Sequence, residues 1–229
     1  MTVDWADPAL ADSWDKSGPR LPTRAEQLDI AIAELESARE GWILDLGAGS
    51  GLVAEQLLER LPGSRVLCVD LSERMLELAR RRLERFGDRF ELAHVDLEAE
   101  EAELPERDYA AAIAVQAFHN LSHLRQVVTI RLLSETLPAG ALFVLVDKVA
   151  VPEAAYELFL PVWRRLERMS GFSPEPPSYA EHVVSLEEEG DRPVPLERQL
   201  EWLRQANFEP AVLHVHGNRA VVGARRLGR

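Results

Sequence analysis

Three glycines at alternate positions, Gly47, Gly49 and Gly51, break an apolar run that begins Ile43-Leu44-Asp45-Leu46. Leu52-Val53-Ala54-Glu55-Gln56-Leu57-Leu58-Glu59-Arg60 then follows with helical spacing. A buried strand, a glycine turn and a helix in succession open a nucleotide-binding α/β domain. Glycine permits φ > 0 and lets a ligand come close to the backbone. The helix behind it presents unpaired N–H groups. The spacing argues against two phosphate cradles. A P-loop carries Lys-Ser or Lys-Thr after its last glycine, and here Leu52-Val53 follows. A dinucleotide fingerprint has glycines at positions one, three and six, and here the sixth is Leu52. Asp45 stands two residues before the first glycine, where a carboxylate opposes a pyrophosphate and suits an amine or hydroxyl. The loop therefore suits a ligand without phosphates that carries a cationic amino group.

Strand and helix patterns alternate around this loop. Thr23 opens a helix over 23–39, with Glu26 as its capping-box partner and Leu28, Ile32 and Leu35 as its apolar stripe. Strands are expected at 42–46, 65–70, 90–95, 109–115 and 141–146, and helices at 51–60, 72–86 and 121–137. The continuous apolar runs suit a parallel sheet buried on both faces, joined by right-handed crossovers. Past Asp147 the pattern changes. An aromatic helix at 153–169 contains Pro161, which should kink it, and a proline-rich stretch follows to Tyr179. A short helix near 179–189 and another at 196–206 come next. Strands at 211–216 and 219–224 flank Gly217-Asn218, a hairpin signal. The expected fold is α/β: a doubly wound, mostly parallel seven-stranded sheet with an antiparallel C-terminal hairpin and a helical cap insertion. The expected division is an N-terminal arm and helix at 1–41, a ligand-binding core at 42–147, a cap at 148–195, and a helix and hairpin completing the sheet at 196–229.

Charge narrows the partners. A formal net charge of −13 repels phosphate backbones and disfavours nucleic acid. The local exception is Arg80-Arg81-Arg82 with Arg74, Arg85 and Arg89. It reads as a solvated helix face paired with Glu73, Glu77 and Glu84. The lone cysteine, Cys68, lies in the apolar run Arg65-Val66-Leu67-Cys68-Val69 and reads as a small buried hydrophobe. An intrachain disulfide is therefore impossible, which fits a reducing compartment. The start Met1-Thr2-Val3-Asp4-Trp5 lacks a signal-peptide pattern. No run approaches the roughly 20 apolar residues of a membrane helix. A cytoplasmic protein without a membrane partner is expected. No His, Cys or Asp cluster has metal-ligand spacing, so no metal is expected.

The pattern Asp45-Leu46-Gly47-Ala48-Gly49-Ser50-Gly51 resembles the first motif of the class I (Rossmann-like) S-adenosylmethionine-dependent methyltransferases. Val69-Asp70-Leu71-Ser72, Val95-Asp96-Leu97 and Gln116-Ala117-Phe118-His119-Asn120-Leu121 resemble the family's later motifs in order and spacing. The resemblance implies S-adenosylmethionine as cofactor, its amino-acid end at Asp45, Gly47, Ala48, Gly49 and Gly51. It implies ribose hydroxyls on Asp70, where two acceptor oxygens meet a vicinal diol. It also implies the adenine amino group on Asp96, with Leu71, Met75 and Leu97 nearby and Gln116 beside the reactive methyl. Arg20 is a candidate for the cofactor carboxylate, because a guanidinium matches that group.

The implied reaction is an SN2 transfer of methyl from a sulfonium, in which the protein aligns donor and acceptor and excludes water. His119 is the candidate general base, with His182 behind it. His94, His123, His214 and His216 read as surface residues. The Asp-Pro-Pro-Tyr or Asn-Pro-Pro-Tyr tetrapeptides used on nucleobase amines are absent after the fourth strand. The cap carries Tyr156, Phe159, Trp163, Phe172 and Tyr179, which suits a small-molecule acceptor. Three alternatives stay open: formation of carboxy-S-adenosylmethionine or a related tRNA modification, a non-catalytic cofactor-binding subunit, and an NAD-linked oxidoreductase, the last opposed by the glycine spacing. A homodimer is also open.

Overall fold

The computed structural model describes residues 7–9, 22–38, 40–170 and 178–228. The arm with Trp5 and Trp14, the proline stretch with Phe172, and Arg20 lie outside the described residues. Five strands run parallel: β1 (Trp42–Leu46), β2 (Arg65–Asp70), β3 (Phe90–His94), β4 (Tyr109–Val115) and β5 (Leu142–Lys148). Then β6 (Phe208–His216) and β7 (Arg219–Arg226) close the sheet as an antiparallel hairpin. The order is β3-β2-β1-β4-β5-β7-β6.

Alternation along each strand divides the core between two faces. Ile43, Val66, Ile113 and Val144 face the side covered by α1 (Pro22–Leu35), α2 (Leu52–Arg60) and α3 (Glu73–Leu83). Leu44, Leu67, Ala112 and Phe143 face the side covered by α4 (His123–Thr136) and α7 (Leu196–Gln205). Both faces being dry explains the unbroken apolar strand sequences. The cap contributes α5 (Tyr156–Ser170), which contains Pro161, and α6 (Tyr179–Glu189).

Several boundaries differ from the sequence expectation. The first helix stops at Leu35, where Ser37 turns its hydroxyl onto the Glu34 carbonyl and i→i+3 bonds replace the helical ones. Thr23's side chain lies outside the described residues. The arginine-rich helix stops at Leu83 and passes into a tight turn, Glu84–Arg89, where Gly87 has φ 62°. Arg89 departs from the expected solvated face. It donates to the carbonyls of Leu58, Leu61 and Ser64 and so caps the end of α2. A short turn, Glu153–Ala155, precedes α5. The last strands reach further than expected because each pairs along its length. Pro210 lies within β6, which an edge strand tolerates since its missing N–H costs no ladder bond. Among the described residues no helix is long and apolar enough to cross a membrane.

Candidate active site

The parallel strands place their C-terminal ends in one row, and a cleft of about 1100 Å³, open mouth included, lies over β1, β2 and β4 there. This is where open α/β sheets bind ligands. Gly47, Ala48 and Gly49 form one wall. Gly47 has φ 65°, and a Cβ on it would lie 2.5 Å from the Ala117 Cβ, so only glycine lets the loop meet the segment after β4. The Gly47 and Ala48 N–H groups donate to the Val69 carbonyl at 2.9 and 3.1 Å. Asp70 then ties the loop to the next strand. Its Oδ2 accepts from Gly49 N–H and its Oδ1 from Ser72 N–H, both at 2.8 Å. Burial raises its carboxyl pKa, while the backbone donors of Ser72 and Gly49 pull it down. Two carboxylate oxygens carry about four acceptor positions, so two bonds leave others for a ligand.

Asp70, Leu71, Met75, Asp96, Leu97 and Gln116 all line the cleft. Asp96 also accepts from Glu98 N–H at 2.8 Å, which makes it a turn residue as well as a wall residue. Gln116 sits at φ 55°, a left-handed conformation that costs a non-glycine residue about 1–2 kcal/mol. Its N–H donates to the Val146 carbonyl at 2.7 Å, which holds it at the end of β4. Such strain gathers at functional sites.

Three candidates stand off the cleft wall. Asp45 is 1% exposed in the middle of the sheet, beside Cys68 and Ile113 in register. Its Oδ2 has no hydrogen-bond partner, and burial, then Asp70, raises its pKa to about 7. It underlies the loop and does not face a ligand directly. Gly51 caps α2 at φ 79°, and its missing Cβ admits Ala79 of α3 at close range. His119 is 5% exposed and lies outside the cleft lining. Its Nδ1 contacts Asp147, and its Nε2 lies 3.6 Å from Asp191 Oδ1. Asp191 also pairs with Lys148, which reaches Glu189 at 3.2 Å. His119 is thus held between two carboxylates, with no ring nitrogen turned to the cleft. His182 lies in a second cleft with Tyr179, near Tyr156 and Trp163, and burial lowers its pKa.

Two arginines were not singled out from the sequence. Arg24 on α1 lines the cofactor cleft. Burial, then Arg219, lowers its pKa to about 10. Arg219 opens β7 and donates through Nη1 to Gln116 Oε1. Arg24 lies four residues after the expected Arg20, and the Gly217-Asn218-Arg219 hairpin carries, with the 153–169 helix, a loose likeness to carboxy-S-adenosylmethionine-forming enzymes. Arg24 is the one cation in the described cleft wall, against the carboxylates Asp70, Asp96 and Glu98. That donor set rejects phosphates and suits a diol, an amine and one carboxylate, the groups S-adenosylmethionine presents.

Residues 43–140 match the model of a family described as a methyltransferase domain. Over 112 residues the chain is 37% identical to a probable cobalt-precorrin-6B C(15)-methyltransferase (decarboxylating) of Pyrobaculum calidifontis, a match covering 47% of this chain and 57% of that protein. The fold is shared with an O-methyltransferase family protein from Burkholderia thailandensis at a TM-score of 0.69 and 14% identity, over 96% of this chain and 59% of that one. It is shared too with human N-acetylserotonin methyltransferase in complex with SAM, at a TM-score of 0.63 and 16% identity, over 96% of this chain and 54% of that one. The chain thus spans a little over half the length of these proteins. The four ordered motifs, the sheet order that brings them to one cleft, and the matching family model identify residues 43–140 as a methyltransferase domain, similar to those of the class I S-adenosylmethionine-dependent methyltransferases.

Proposed function

We propose that the protein transfers a methyl group from S-adenosylmethionine to a small-molecule acceptor. The observation that carries this reading is the cleft itself, where a phosphate-repelling donor set stands beside the glycine turn. When bound, the cofactor supplies a methyl already activated on a sulfonium. The chain's own residues bind, orient and exclude water. Asp70 would take the ribose hydroxyls and Asp96 the adenine amino group. Arg24 would take the cofactor carboxylate, the role expected for Arg20, which lies outside the described residues. Gly47 and Gly49 would admit the amino-acid end at close range. Gln116 and Asn120 would border the acceptor side.

His119 is better suited to positioning than to proton abstraction, because both its nitrogens face carboxylates. It anchors the Phe118–Asn120 turn, and its carbonyl accepts from Arg192 N–H at 2.5 Å. An acceptor that attacks without losing a proton beforehand needs no base, which suits this arrangement. The net charge of −13 continues to favour a small molecule over nucleic acid.

Calorimetry with S-adenosylhomocysteine and 5′-methylthioadenosine tests the assignment. Asp70→Ala is expected to weaken both ligands at least about tenfold, by loss of charge-assisted hydrogen bonds. Arg24→Gln is expected to weaken only the ligand bearing a carboxylate. Equal affinity of parent and Asp70→Ala for both ligands overturns the site.

A further inference from the structure

We infer that Arg219 recognises the methyl acceptor, and that the acceptor presents a carboxylate to it. This rests on the methyl-transfer reading above and extends it to the acceptor's chemistry.

The antiparallel register of β7 on β5 sets Arg219 opposite Lys148, at the same sheet edge as Gln116. Gln116 is a wall of the cofactor cleft, and its Oε1 accepts from Arg219. Arg219 lines neither cleft itself and reaches the cofactor cleft through Gln116, in the post-β4 segment that the family resemblance puts beside the reactive methyl. The nearby carboxylates have other partners, although Asp147 keeps its Oδ2 without a hydrogen bond. Asp147 contacts His119, Asp191 pairs with Lys148, and Glu189 reaches Lys148 at 3.2 Å. Among the described residues none of them lies within ion-pair distance of Arg219, whose one hydrogen-bond partner is a neutral amide. A guanidinium offers about five donors, so most of the fork is unspent.

A second guanidinium, Arg24, stands close enough to repel it. Among the described residues neither guanidinium has an ion-pair partner within reach, and only Arg219 donates to the Gln116 amide. Arg24 serves the cofactor carboxylate, which leaves Arg219 for the acceptor. The neighbourhood also selects the anion. Asp147, Asp191 and Glu189 act on Arg219 at longer range. They oppose a doubly charged phosphate more than a singly charged carboxylate, and a carboxylate matches the planar fork. The hairpin turn before Arg219 abuts Trp163, 3.6 Å from the place a Cβ on Gly217 would take, so an aromatic body has a partner beside the charge.

The test uses the full chain saturated with S-adenosylhomocysteine. Binding of benzoate, phenylacetate and salicylate is compared with that of their primary amides by calorimetry. The acids are expected to bind in the millimolar range or tighter, at least about tenfold ahead of the amides. Arg219→Gln should erase that preference, and Arg219→Lys should restore part of it. S-adenosylhomocysteine affinity should fall far less in Arg219→Gln than in Arg24→Gln. Absence of acid binding, or a preference that survives Arg219→Gln, overturns the inference. So does an equal loss of S-adenosylhomocysteine affinity in both arginine variants, which would give the carboxylate to the cofactor. If the parent protein fails to bind S-adenosylhomocysteine at all, the methyl-transfer reading fails first and this inference with it.

Discussion

Asp45 shows how burial rewrites the chemistry of one residue. From the sequence its carboxylate, two positions before the glycines, reads as a direct partner for an amine. In the fold it lies under the loop with one oxygen unpartnered. Its pKa rises from 3.8 to about 7, so the folded state keeps a proton that the unfolded chain releases. Below the lower value both states are protonated and folding carries no charge penalty. Stability then falls as pH climbs toward the folded pKa and is level above it. Asp45→Asn removes this titration. It is expected to be more stable than the parent at pH 8 by on the order of 2–4 kcal/mol, with the gain fading near pH 4. Denaturant melts at the two pH values check this, and a gain independent of pH sinks it. The places of Gly47, Asp70 and Asp96 in the cleft wall were legible because they are local, set by turn geometry and strand ends. Arg24 and Arg219 were not, because Arg24 meets the cleft and Arg219 meets Gln116 through contacts far apart in sequence.

At the scale of elements, the cap is attached to the core by a buried charge cluster. Asp191 follows α6, and its N–H donates to the Leu186 carbonyl at 2.8 Å while its side chain meets Lys148 of β5 and approaches His119. Arg192 then donates through Nη1 to the Asn120 carbonyl at 3.1 Å, and its own carbonyl accepts from Gln126 at 2.9 Å. Removing one member strands a buried charge. Asp191→Ala is expected to cost about 3 kcal/mol, and hydrogen exchange should quicken first in α6 and the Phe118–Asn120 turn. Lys148→Met combined with Asp191→Leu should recover much of that loss, since paired apolar groups replace paired charges. Uniform exchange across the sheet in Asp191→Ala contradicts the attachment. Strand and helix identity was readable from apolar period and breakers. The ends were not, because Ser37, Gly87 and the β5–β7 pairing act through contacts that period does not encode.

For the whole molecule, ligand binding couples to folding by mass action. S-adenosylmethionine or its demethylated product at about one hundred times its Kd should add about 2.7 kcal/mol of stability and raise Tm, while NAD should leave it unchanged. A scan in which NAD stabilises equally overturns the cofactor assignment. The sequence alone determined the layered α/β fold and the glycine seat. Apolar runs, turn residues and motif order are local quantities, and they repeat in the right places along one chain. Only the tertiary structure decided which charges meet. It buried Asp45 beneath the loop, enclosed His119 between Asp147 and Asp191, set Arg24 in the cleft wall and brought Arg219 onto Gln116. Those outcomes depend on desolvation and on distances between strand ends, which arise when β7 turns back along β5 and the cap closes over the sheet edge.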